Sequence, residues 1–274
     1  MSTTEPGAGK GAIILFPAAD NIELPPFQMS EIPPRSRLYG LVPCGLGTMF
    51  QESLTSYLNR LGWRHHVSPR DLAAQEIVPY LSHEYPKLQL AAFSRGPGMH
   101  INGTGKTAQE WTTILERLTM RSDLHFLALT FWVGDLSSRG HLRTVPAWCP
   151  ACYMEWTEQA LPLYQPLLWM FQVVTICPRH ERRLEDRCSH CGRTQSVVAR
   201  GTHPGHCTQC NAWLGTALNH AESLPMDREV IHWQEWVIQA LDELRMAAGA
   251  YSWKQFFEGL EHCVSCKLNV GHQH

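Results

Sequence analysis

No run of apolar residues in this chain approaches the roughly 18 needed to cross a bilayer as a helix. Its opening, MSTTEPGAGK, has neither the charged nor the apolar region of a secretory signal. Charge of one sign is not in excess either: 23 Lys and Arg stand against 25 Asp and Glu, a net of -2. The first two absences point to a soluble, intracellular protein of the cytoplasm. The third excludes a molecule drawn as a whole to nucleic acid, so any contact with DNA has to come from a local patch. Catalytic signatures are missing as well. No clustered acidic triad is placed to hold two magnesium ions for strand transfer. The one phosphate-loop lookalike, NGTGKT at Asn102 to Thr107, has His100 where that motif needs its first glycine, which excludes nucleotide binding there.

What the chain does have is cysteine on closely spaced turns. Seven of its ten cysteines lie between Trp148 and Cys210, arranged with one histidine as CPAC (Cys149, Cys152), CPRH (Cys177, His180), CSHC (Cys188, Cys191) and CTQC (Cys207, Cys210). Two ligands separated by two residues sit on one tight knuckle and can face one ion, and two knuckles close a tetrahedral structural site. Four knuckles imply two Zn2+ ions. Taken in order, Cys149, Cys152, Cys177 and His180 form one set around a 24-residue insert, and Cys188, Cys191, Cys207 and Cys210 a four-cysteine ribbon around a 15-residue insert. The second spacing is that of a zinc ribbon. The first is longer than usual, and spacing alone leaves a crossed sharing open.

Other chemistries fit these cysteines less well. A disulfide framework belongs to small secreted domains with too little core, whereas this chain has 274 residues, 44% of them hydrophobic. A catalytic zinc needs an open coordination position, which two complete four-ligand sets do not leave. A third set, Cys263, Cys266, His272 and His274, ends on two histidines at the chain terminus, where a loose His-rich tail is the expectation.

The remainder reads as mainly α with a small β component. Residues 1–40, rich in Pro and Gly, are expected to form a flexible arm; 41–147 a helical amino-terminal domain; 148–215 the tandem zinc modules; and 216–274 carboxy-terminal helices and a tail. In QESLTSYLNRLGW, Leu54, Tyr57, Leu58 and Leu61 share a helical face with Glu52, Asn59 and Arg60 turned outward, and Gly62 ends the helix. SPRDLAAQEIVPYL then starts with Ser before Pro, a helix-opening signal, and the two helices make a candidate helix-turn-helix, although most helical hairpins are packing units. AQEWTTILERLTM places Trp111, Ile114, Leu115 and Leu118 on one side of a third helix. LHFLALTFW is apolar enough to be a core helix.

Between the first two knuckles, MEWTEQALPLYQPLLWMFQVVTI carries Trp156, Tyr164, Leu168, Trp169, Phe171 and Val174, which are expected to pack the metal turns against the helices. MDREVIHWQEWVIQALDELRMAAG reads as a long amphipathic helix with Val230, Trp233, Val237, Ala240, Leu241 and Leu244 in one stripe, covering the core or meeting a partner or a second copy. A further helix, SWKQFFEGL, follows. From Cys177 to Arg200 six arginines face three acids, a local balance of 6 - 3 = +3. Arg179, Arg182, Arg183, Arg187 and Arg193 are therefore the candidate phosphate-contacting residues, with internal ion pairs to Glu185 or Asp186 as the competing reading. Arg139 and Arg143 are weaker candidates.

The runs AWCPACYMEW and PLLWMFQVVTICPRHERRLEDRCSHCG resemble the TniQ family of transposition proteins, in which the same knuckles are separated by a tryptophan-bearing apolar helix. ESLTSYLNRLG, NGTGKTAQEW and LTMRSDLHFLAL resemble that family's upstream motifs in their order, over roughly Leu41 to Leu214. The resemblance implies an adaptor without catalysis. Such proteins link a target-recognising element, their own DNA contacts or an RNA-guided Cascade complex, to the AAA+ regulator TnsC (TniB in related systems). It implies DNA and that regulator as partners, while a homodimer is an option left open by the amphipathic helix after the ribbon. Two readings from other classes compete: a stand-alone zinc-dependent DNA-binding transcriptional regulator, and a zinc hydrolase.

Overall fold

Ser53 opens the helix on which the other elements are assembled. Its hydroxyl accepts the Ser56 N–H, and α1 runs from Leu54 to Arg64. The computed structural model describes residues 35–81, 97–131, 141–198, 203–215 and 227–246. The chain divides into two compact units, Met1–Arg35 and Ser36–His274. Outside the described residues lie the amino-terminal arm up to residue 34, Arg139, Arg200, the SWKQFFEGL segment and the set Cys263, Cys266, His272 and His274.

α1 is buried around nearly its whole circumference, because elements pack on it from several sides. Leu54, Tyr57, Leu58 and Leu61 face the helical core, as their spacing predicts. The residues expected to face solvent do not: Glu52 is fully buried, Asn59 nearly so, and the Arg60 side chain keeps 14% exposure. Apart from Asn59 Oδ1, the buried polar atoms of these residues are matched. Glu52 accepts from the Ser56 hydroxyl (2.9 Å), the Cys44 N–H (3.1 Å) and the Arg60 guanidinium. Asn59 Nδ2 donates to the Val197 carbonyl at 2.9 Å, tying the helix to the cysteine-rich region. Asn102, from the phosphate-loop lookalike, is buried and clamps Thr55 through both its amide atoms.

Gly62 does not end α1, which continues to Arg64 and closes at His65 and His66, the latter at φ 55°. The glycine serves packing instead. A Cβ there would stand 2.9 Å from the Cα of Pro69, the first residue of α2 (Pro69–Leu72). α2 passes through a π turn (Ala73–Ile77) into a 3-10 turn (Val78–Tyr80), so the second helix is irregular over most of its length. α3 spans Lys106–Thr119 and buries Trp111, Leu115 and Leu118 as expected. The LHFLALTFW segment is not one helix. It forms two 3-10 turns, Leu124–Leu127 and Leu129–Phe131, that still bury Leu124, Leu127 and Leu129.

α4 (Pro150–Glu158) leads into extended chain broken by Pro162 and Pro166, then a 3-10 turn at Leu167–Met170. The expected apolar helix between the first two knuckles is therefore confined to α4, since each proline removes a backbone donor. A two-stranded antiparallel sheet follows, β1 (Ile176–Cys177) against β2 (Arg182–Arg183). Last among the described elements, α5 (Arg228–Met246) lays Gln234, Val237, Ile238 and Leu241 on the core. Val230, expected in that stripe, is 38% exposed because it sits at the helix start, where the core no longer reaches. Gln234 fixes the helix to the backbone ahead of the first sheet strand: its Oε1 accepts the Thr175 N–H at 2.8 Å and its Nε2 donates to the Val173 carbonyl at 3.0 Å. No helix among the described residues is long and apolar enough to cross a membrane.

Candidate metal centres

The first set is assembled from a helix start and a sheet hairpin. Cys149 is the N-cap of α4 and Pro150 its first residue, so Cys152 stands one turn in with its sulphur on the same side. Cys177 lies in β1, and His180 closes the turn to β2 with its N–H on the Cys177 carbonyl at 3.3 Å. The four ligand atoms lie within 4.8 Å of one another. Cys152 Sγ is 3.5 Å from Cys177 Sγ, and His180 Nδ1 is 3.7, 3.3 and 3.7 Å from the sulphurs of Cys149, Cys152 and Cys177. A tetrahedral ion with sulphur arms of about 2.3 Å requires edges of about 3.8 Å, so the set has the dimensions of a zinc site.

The second set repeats one hairpin twice. In the first copy the Cys188 N–H donates to Arg193 O (3.0 Å) and Gly192 N–H returns to Cys188 O (2.9 Å); in the second, Cys207 N–H donates to Ala212 O (2.8 Å) and Asn211 N–H to Cys207 O (2.9 Å). Cys188 to Cys210 and Cys191 to Cys207 are 3.8 and 3.7 Å between sulphurs, again tetrahedral edges. The residue after the second ligand turns left-handed in each of three knuckles: Glu181 at φ 46°, Gly192 at 69° and Asn211 at 59°. Glycine and asparagine suit that conformation, whereas glutamate strains it.

The electrostatics ask for a cation. Hydrogen bonds from the Cys149 and Cys152 thiols hold Cys177 far below the usual thiol range, while contacts with Cys149 and Cys177, and burial, push Cys152 far above it. Sulphurs this close cannot all ionise unless positive charge stands between them. Neighbouring donors are ready to share the load. The N–H groups of His190 and Gln209 point at Cys188 and Cys207 at 3.4 Å, and Gln195 Nε2 reaches Cys207 at the same distance. At the first set Glu155 Oε2 faces His180 Nε2 at 3.5 Å, which fixes the ring with Nδ1 toward the sulphurs. Glu155 and Gln195 are supporting residues that the knuckle spacing does not name. Glu155 could have been found one helical turn beyond Cys152; nothing local marks Gln195.

Both sets belong to the core. Trp148, Tyr153, Trp156 and Trp169 are buried among Cys149, Cys152, Cys177, Cys188 and Cys207, and Trp148 Nε1 donates to the Leu214 carbonyl at 3.0 Å. The five candidate arginines are not alike. Arg179 pairs with Glu155 at 2.5 Å and Arg182 with Glu185 at 3.2 Å, while Arg187 touches the Gly192 carbonyl. Arg183, Arg187 and Arg193 are exposed. Arg143 turns inward to the Val174 carbonyl, and burial holds its pKa below the ordinary value.

Residues 43–184, just over half of the chain, match the TniQ family model. The chain belongs to the TniQ family. No curated protein matches it. The TniQ match takes in all four ligands of the first set and stops at Leu184, before the second. Membership makes this a transposition-associated protein, and each of its two Cys/His sets can hold a metal ion.

Proposed function

We propose that this TniQ protein is an adaptor for target-site selection in DNA transposition. It links a target-recognising element, its own DNA contact or an RNA-guided Cascade complex, to the AAA+ regulator TnsC or TniB. The observation that carries this reading is that a chain of this family has two complete four-ligand sets built into its core. Zinc with four protein ligands has no position for water or substrate, so each ion would cross-link chain segments rather than act as a Lewis acid. The hydrolase reading loses its support on the same ground.

Arg183, Arg187 and Arg193 are assigned to phosphate oxygens, a contact that positions the protein without reading sequence. The α1–α2 hairpin is assigned to packing rather than to base reading, because α2 has only four regular residues before its π turn. The test is to count zinc per chain and, with the same preparation, capture the cognate AAA+ regulator with and without duplex DNA. Two zincs and DNA-dependent capture are expected. Two zincs with tight sequence-specific DNA binding and no capture would transfer the case to a stand-alone transcriptional regulator.

A further inference from the structure

The outward face of α5 differs in character from the arginine rim. From Glu229, steps of three and four residues reach His232, Trp236, Gln239, Glu243 and Met246, which is one stripe along a helix. All six are exposed. Trp236 keeps 41% exposure, yet it is held in place by stacking on Trp233 at 5.2 Å between centroids and 24° between planes. The opposite side of the helix is anchored by Gln234, Val237, Ile238 and Leu241, so this indole stands on a fixed support.

The charges around Trp236 are mainly acidic. Glu229 and Glu243 lie two turns to either side on the stripe and Glu235 adjoins it, while Arg245 is occupied by Asp242 at 2.8 Å and Arg228 sits at the helix start. The remaining basic group of α5, His232, is 3.7 Å from Glu235. An ordered indole receives a guanidinium on its ring face, and further arginines two turns to either side on a helical partner meet Glu229 and Glu243. A phosphate backbone would be repelled by the same acids. An ordered aromatic amid polar neighbours is also the usual centre of a protein docking patch.

We infer that the outer stripe of α5 is the docking site for an arginine-bearing helical segment of a protein partner. The inference rests on the adaptor reading only in that the chain needs such a partner. It is tested on the full-length protein with its metal, using a fluorescein-labelled alanine-based helical peptide with arginines at three- and four-residue steps. The same peptide with glutamates is the control, and anisotropy the readout. Wild type binds the arginine peptide and not the control. Trp236→Ala weakens binding about tenfold, and Glu229→Lys with Glu243→Lys weakens it comparably, with the far-ultraviolet helical signal and metal content unchanged because the helix stays anchored by its opposite side. No binding by wild type, or equal binding by both variants, overturns the inference. So does self-association abolished by Trp236→Ala in sedimentation, which would seat a second copy on the stripe. Capture of the AAA+ regulator, run in parallel, keeps the two claims apart: peptide binding through Trp236 without capture sinks the adaptor reading alone, and capture without peptide binding sinks this inference alone.

Discussion

Glu155 holds the outer nitrogen of His180 while the inner one faces three sulphurs, so its carboxylate orients a ligand without being one. Glu155→Gln is expected to lower zinc affinity at the first centre by about 10- to 100-fold and to leave the second unchanged. Competition against a chromophoric chelator measures this, and unchanged affinity would reduce Glu155 to a partner for Arg179. Asp123 carries a pH prediction. Its carboxyl accepts the Arg121 fork and is held below the ordinary aspartate value, chiefly by that hydrogen bond. The unfolded chain therefore takes up this proton at higher pH than the folded one. The stabilisation is present above the ordinary value of about 3.9 and is lost as pH falls through the folded value. Asp123→Asn should flatten the acid limb of the stability curve in that window, and a limb of unchanged slope would refute the assignment. At this scale the seven cysteines and His180 were legible because ligand spacing is local chemistry. Glu52 and Asn59 turn inward because segments distant in sequence pack on them: Glu52 bridges to Pro166, although its side-chain partners lie within eight positions, and Asn59 meets Val197, 138 positions away.

Elements were legible where their cause was local and illegible where it was tertiary. α1, α3 and α5 follow apolar periodicity, and Ser68 with Pro69 opens α2 as read. The stop assigned to Gly62 failed because that glycine is demanded by another element's approach. Gly62→Ala should cost about 1–3 kcal/mol in denaturant midpoint terms, since its Cβ would press on Pro69 backbone. The helix that the family resemblance implies between the first two knuckles does not extend past α4, because two prolines follow it. Among the knuckles, Glu181 adopts a left-handed conformation that its side chain disfavours. Glu181→Gly should therefore raise stability by about 1 kcal/mol, seen as a higher melting temperature with the metal content unchanged. A melting temperature that stays level or falls would place the benefit of Glu181 elsewhere.

For the molecule as a whole, the two Cys/His sets and the core are one structure: the buried tryptophans cluster with the cysteines, and α1 reaches the cysteine-rich region through Asn59 and Val197. Removing metal with a strong chelator is expected to unfold the described helices together with the knuckles, with loss of far-ultraviolet helical signal and tryptophan emission shifted to the red. Retention of the fold after chelation would overturn the structural role. Gln234 carries a consequence of a different kind. β1 pairs with β2 along one side, and on the other the backbone just before it meets the carboxamide of Gln234. A single side chain thus satisfies backbone groups that no described strand reaches, and it does so beside the strand that carries the Cys177 thiol. A chain cut ahead of Asp227 would lose more than a helix. The cut would strip the Thr175 N–H and the Val173 carbonyl of their partner just ahead of the strand that carries Cys177, so the loss is expected to loosen the first Cys/His set as well as the core.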